Sequence, residues 1–281
     1  MYIINNTIIL FVMFFLISSC SISSNSTKFY SIFIGTNKEG FEDVSLARAS
    51  GKEIDGSVFI YLNGNPIAYY GGYGATKQIN QWLKMQNNSL EIKGYSSKDL
   101  YIKIASYDCF GKNFQIHLKK HIEAGKIKTS DIFQVNVDYK LPFLDSLILD
   151  GKDIIKKEIK KEIDSLKKHI VNKSTEKLLQ QLLTGPRLWQ SLAYNVDWPA
   201  KRSIFEKRVI NQLIERDITI IDFKEKDINF LIGTNSVYAY SDIRKDQVLD
   251  TYLFKISKNR EIEYIPAIKY VKYQNKWIIW E

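Results

Sequence analysis

Cysteine, histidine and proline are scarce: the 281 residues include two, three and five of them. Two cysteines, Cys20 and Cys109, cannot build a disulfide framework. Cys109 lies beside Tyr107 and Phe110, an apolar setting that predicts a buried structural thiol. The histidines are His117, His121 and His169. His117 and His121 fall in a stretch that reads as strand, where positions four apart are separated by about 13 Å. One zinc ion cannot reach both, so no metal site is expected. The sequence has no G-x-S-x-G elbow. The stretch Gly71-Gly72-Tyr73-Gly74-Ala75-Thr76-Lys77 carries Thr76 where a phosphate loop needs glycine. No cofactor and no catalytic residues are expected from these motifs. No apolar run approaches the roughly 20 residues of a membrane-spanning helix.

Positive charge is in excess, with a formal net charge of +9. It is spread along the chain: 15 basic against 13 acidic residues over 20–150, 9 against 5 over 151–183, and 16 against 13 over 184–281. A nucleic-acid footprint concentrates charge in a stripe or patch, so no nucleic-acid partner is expected. A solvated lysine-rich surface, or a basic surface beside anionic lipid headgroups, fits the spread better.

The longest apolar run is Ile8 to Ile17, ten residues between Asn5-Asn6-Thr7 and Ser18-Ser19. That length suits the apolar region of an export signal. The run ends in Ile17-Ser18-Ser19-Cys20, an aliphatic residue, two small ones and a cysteine. This resembles the lipobox of bacterial lipoproteins. The resemblance implies a signal peptide over 1–19 and Cys20 as the lipid-bearing first residue, carrying acyl chains such as palmitate. The segment before the run departs from the pattern in having no Lys or Arg. Residues 20–28 read as a polar, flexible tether. Ser21 is not Asp, which by the same resemblance favours the outer membrane.

Residues 29–147 read as an antiparallel β-sandwich. Apolar runs recur at 29–33, 58–62, 90–92, 100–104, 114–118 and 132–137, several of them alternating. Turn signals separate them at Asn63-Gly64-Asn65-Pro66, Asn87-Asn88, Phe110-Gly111-Lys112-Asn113 and Ala124-Gly125-Lys126. The stretch Val58 to Ile92 resembles the accessory β-sandwich modules of bacterial envelope proteins.

Residues 148–183 form a helical connector, with Ile155, Ile159, Ile163, Leu166 and Ile170 at helical spacing on one stripe. Residues 184–281 read as an α+β domain. Gly185-Pro186 and Asp197-Trp198-Pro199 mark helix starts, with a helix from Pro199 to about Arg216. Strands follow at 218–223, 237–240, 251–256, 264–272 and 276–280, with Gln274-Asn275 turning the last hairpin. Helices followed by an antiparallel sheet ending in Lys276-Trp277-Ile278-Ile279 resemble the cone-shaped nuclear-transport-factor-2-like or cystatin-like domains. The fold class expected overall is therefore α+β.

Tyr69, Tyr70 and Tyr73 stand among glycines on a predicted loop. Such tyrosines can bind a glycan or a partner's surface; alternatively, they cover the edge of the sandwich at a tight glycine corner. Trp189, Trp198, Trp277 and Trp280 are expected to meet in the C-terminal unit, filling its core or lining a pocket at its mouth. The function expected is a non-catalytic binding or scaffolding module anchored in the cell envelope, with an envelope protein or glycan as partner. The alternatives are an envelope hydrolase using Asp/Glu residues of the C-terminal domain, or an inhibitor or immunity lipoprotein.

Overall fold

A computed structural model describes residues 28–38, 41, 56–70, 74–108, 112–145, 148, 150–194, 218–221, 228–243, 251–258 and 261–281. The fold is α+β. Its β-rich N-terminal part consists of β1 (Phe29–Gly35), β2 (Gly56–Leu62), β3 (Asn65–Tyr70), β4 (Gly74–Gln78), β5 (Asn87–Ser96), β6 (Leu100–Tyr107), β7 (Gln115–Ile122) and β8 (Gly125–Gln134). They form two antiparallel sheets, ordered β4-β1-β6-β7 and β3-β2-β5-β8. Alternation sends Ile32, Ile34, Ile102 and Ile104 from one sheet and Val58, Ile60, Leu90 and Ile92 from the other into a shared core.

The Asn63-Gly64 dipeptide turns β2 into β3 with φ of 53° and 77°, the paired positive angles that fit the twist of a two-residue hairpin. Asn65-Pro66, a turn signal, instead opens the strand β3. Proline is tolerated there because β3 is an edge strand. Asn87-Asn88, expected to turn, instead open β5.

The described α-helices are α1 (Lys152–Val171) and α2 (Thr175–Tyr194). The expected stripe of Ile155, Ile159, Ile163, Leu166 and Ile170 is the buried face of α1. Between the helices Lys173 takes a φ of 52°. The helix break expected at Gly185-Pro186 does not occur, for α2 runs through Pro186. Packing overrides the local signal here. A β-carbon on Gly185 would come within 2.0 Å of the Ile279 carbonyl oxygen, so the glycine lets the helix lie directly on a strand.

The described C-terminal strands are β9 (Ile218–Ile221), β10 (Asn229–Ile232), β11 (Ser236–Tyr240), β12 (Asp242–Ile243), β13 (Thr251–Lys258), β14 (Glu261–Pro266), β15 (Ile268–Tyr273) and β16 (Lys276–Ile279). The single strand expected over 264–272 is two, split after Pro266 and placed in different sheets. Gln274 and Asn275 turn β15 into β16 with positive φ. The helix expected from Pro199 to about Arg216 lies outside the described residues.

The sheet β10-β11-β15-β16 has apolar side chains on both faces. Val237, Ala239, Tyr270, Trp277 and Ile279 pack with the buried stripe of α1 in a second core. Val271 and Trp280 point the other way, into the core shared by the N-terminal sheets, as does Trp189 of α2. Apolar contacts thus cross the sequence boundary at 183/184. Polar ones do so too. The Thr234 amide donates to the Gly64 carbonyl at 3.0 Å. Asn65 Oδ1 accepts from the Asn235 amide at 2.8 Å and Ser236 Oγ at 3.0 Å.

Candidate functional site

Buried ionisable groups with shifted protonation are the usual starting point for locating a site. Among the described residues, one such cluster lies where the two parts of the chain meet. Lys77 comes from β4, Trp82 from the 3-10 turn Asn80–Trp82, Lys269 from β15, and Glu281 follows β16. The strand ladder itself aims these side chains. The Lys269 amide donates to the Glu281 carbonyl at 2.8 Å, and the Trp280 amide to the Lys269 carbonyl at 2.7 Å.

The Glu281 carboxylate pairs with Lys77 and with Lys269 at 3.1 Å, and it accepts from Trp82 Nε1 at 3.2 Å. The Lys269 ammonium also stands 4.8 Å from the centre of the Tyr238 ring, its cross-strand partner. Burial pushes the Glu281 carboxyl up, but the two ammonium groups outweigh it and hold the acid at about 2. Burial pulls the Lys269 ammonium down, the carboxylate restores part of the loss, and Lys77 lowers it again. An acid held this low stays ionised and does not donate a proton at neutral pH. The cluster fastens β4 and the 3-10 turn to the C-terminal hairpin, and that structural use accounts for the shifts.

Glu162 of α1 behaves in the opposite way. Burial raises its pKa, and its carboxylate accepts from Gln181 at 3.3 Å. It faces Tyr270, whose own pKa it raises together with burial. Tyr270 and Lys269 are neighbours on β15 and project from opposite faces. The Glu162 and Glu281 carboxylates are therefore separated by a sheet and do not share a cleft.

The tyrosines expected on a loop are placed differently. Tyr69 and Tyr70 end β3, because pairing with Phe59 and Val58 of β2 carries the strand through them. Both are buried: Tyr70 in the sandwich core, Tyr69 on the other face with its ring 5.3 Å from Phe59. The Tyr70 hydroxyl has no hydrogen-bond partner among the described residues, and burial pushes its pKa up. Tyr73 and Cys20 lie outside the described residues.

The histidines sit on elements as expected and have separate partners. His117 Nε2 is 2.8 Å from Ser106 Oγ, and burial lowers its pKa. His121 stacks on Tyr101 at 4.8 Å and meets Asp99 at 2.9 Å. Among the described residues no three His, Cys, Asp or Glu side chains converge as metal ligands.

The tryptophans do not meet as one group. Trp189 Nε1 donates to the Trp280 carbonyl at 3.1 Å, and the Trp280 ring packs edge-on against Phe143 at 4.5 Å. Trp277 and Trp280 are three apart on one extended segment, so they leave opposite faces. Trp277 sits in the second core, where its Nε1 donates to Glu158 at 2.7 Å. Trp198 lies outside the described residues.

Comparison of the chain with protein families, characterised proteins and solved structures finds no match.

Proposed function

We propose that this chain is a membrane-anchored lipoprotein of the bacterial cell envelope, acting as a non-catalytic binding or scaffolding module for an envelope protein or glycan. The observation that carries the proposal is the run Ile8 to Ile17 ending in Ile17-Ser18-Ser19-Cys20. Ten apolar residues are too few to span a bilayer, and they stop at a thiol with two small residues before it.

The fastening of Lys28 and Tyr30 supports the reading. Asn80 Nδ2 donates to the Lys28 carbonyl at 2.9 Å, and Asn80 Oδ1 accepts from the Tyr30 amide at 2.7 Å. Lys28, fastened in this way, stands eight residues after Cys20, and eight residues extend to at most about 28 Å. That is a short leash of the kind that holds a module near a membrane. The shifted ionisable groups also fit a structural use, since Glu281, Lys77 and Lys269 partner one another across the layers.

Expression of the full chain in a bacterium fed a labelled fatty acid tests the anchor. Label in the purified protein, a mass matching acylated Cys20 at the N-terminus, and loss of both in Cys20→Ala are the expected results. An intact Met1 or an unmodified Cys20 sulfur would overturn the proposal.

A further inference from the structure

We infer that the corner of the sandwich around Met85 and Ile132 is the surface that rests on the lipid bilayer, an inference that builds on the lipoprotein reading above. The segment that follows Cys20 joins the described body at Lys28, eight residues on, so what surrounds that point is held near the membrane. A chain of contacts leads from it to the corner. Lys28 is pinned by Asn80, whose carbonyl also accepts from Tyr139 Oη at 2.8 Å. Two residues on, the Tyr30 hydroxyl donates to the Asn136 carbonyl at 3.1 Å. Next to Asn136, the Val135 amide donates to the Gln86 carbonyl at 3.2 Å. The loop carrying Lys84 and Met85 is thereby fastened to the end of β8.

This corner exposes apolar side chains that its strands do not use. Met85 is 49% and Ile132 75% exposed. Ile132 stands opposite Ser89 at the start of β5, three residues beyond Gln86. The exposed charges nearby are Lys28, Lys84, Lys140 and Asp138, while the partly buried Asp131 and Glu91 beside Ile132 are neutralised by Lys120 and Lys93. Apolar side chains framed by lysine suit a bilayer interface: the apolar groups enter the headgroup boundary and the ammonium groups meet anionic lipid. The occupant is therefore the membrane that holds the acyl chains, not a second protein.

The test uses the acylated full chain in vesicles of equal parts phosphatidylcholine and phosphatidylglycerol, with nitroxide-labelled lipid as quencher. A fluorescent dye is attached to a single introduced cysteine in a Cys109→Ala background. Met85→Cys and Ile132→Cys report the corner. Lys126→Cys, about 20 Å farther along β8, and Lys157→Cys on the outer face of α1 are the references. The expected result is quenching several-fold stronger at 85 and 132 than at 126 and 157. Equal quenching at all four sites, or the strongest at 157, would overturn this orientation while leaving the anchor intact. Mass spectrometry of the same samples keeps the two readings apart, because a sulfur without lipid would remove the anchor and this inference together.

Discussion

Changing Glu281 to glutamine keeps the shape of the side chain and removes the one carboxylate shared by Lys77, Lys269 and Trp82. Lowering a carboxyl from its ordinary 4.5 to about 2 corresponds to roughly 3 kcal/mol of preference for the ionised form. Removing one partner from a buried ion pair costs about 3–5 kcal/mol, since the remaining charge stays buried without compensation. With a urea dependence of about 2 kcal/mol per molar, the unfolding midpoint of Glu281→Gln should fall by about 2 M. Trp82 and Trp280 are fully buried at or beside the cluster, so tryptophan fluorescence reads the transition. Adding Lys269→Met to Glu281→Gln should recover part of the loss, because it removes the stranded charge and fills the space. The pH dependence has a definite sign. The Glu281 carboxyl is lower folded than unfolded, so its contribution is present above about pH 4.5 and is lost as pH falls toward 2. Glu281→Gln should flatten that acid arm. A cost below about 1 kcal/mol, or an unchanged acid arm, would refute the account of the cluster as the fastening between the two parts of the chain.

Gly185→Ala should destabilise the protein by about 1–3 kcal/mol in thermal unfolding, even though alanine favours helix, because its β-carbon would collide with the Ile279 carbonyl; a stabilised variant would contradict the close approach of α2 to β16. Asn65→Ala leaves the Asn235 amide and the Ser236 hydroxyl without their acceptor and should cost about 1–3 kcal/mol in a urea titration. Tyr70→Phe removes a buried hydroxyl that no described residue satisfies, so its melting temperature should match or exceed that of the parent; a clear drop would mean the hydroxyl has a partner.

The parts of the fold written in local periodicity were legible in the sequence. Ile155 to Ile170 gave the buried stripe of α1, and the alternation of Leu100, Ile102 and Ile104 gave β6. Asn63-Gly64 and Gln274-Asn275 marked real hairpins because their positive φ angles are a local cost few residues tolerate. Where packing competes with local signals, the reading failed. Gly185-Pro186 looks like a helix start, and only the strand pressed against the glycine shows why the helix continues. Tyr69 and Tyr70 looked like loop residues because glycines follow them, yet pairing with β2 decides their place. The ion cluster left almost no trace. Lys77 and Glu281 are about two hundred residues apart, and the one local hint is Lys269 inside an apolar strand whose faces are both covered. Alternation can say that a strand has two buried faces, but it cannot say which distant carboxylate will meet the lysine.

The central sheet also has a consequence for the time course of folding. Trp280 and Val271 complete a core whose first wall is β1, starting at Phe29. The wall and the residues that close it lie almost 250 positions apart in the chain. Contacts so remote in the chain slow folding. Joining the two parts of the chain therefore carries a large loop-closure cost, and the β15–β16 hairpin acts as the latch between them.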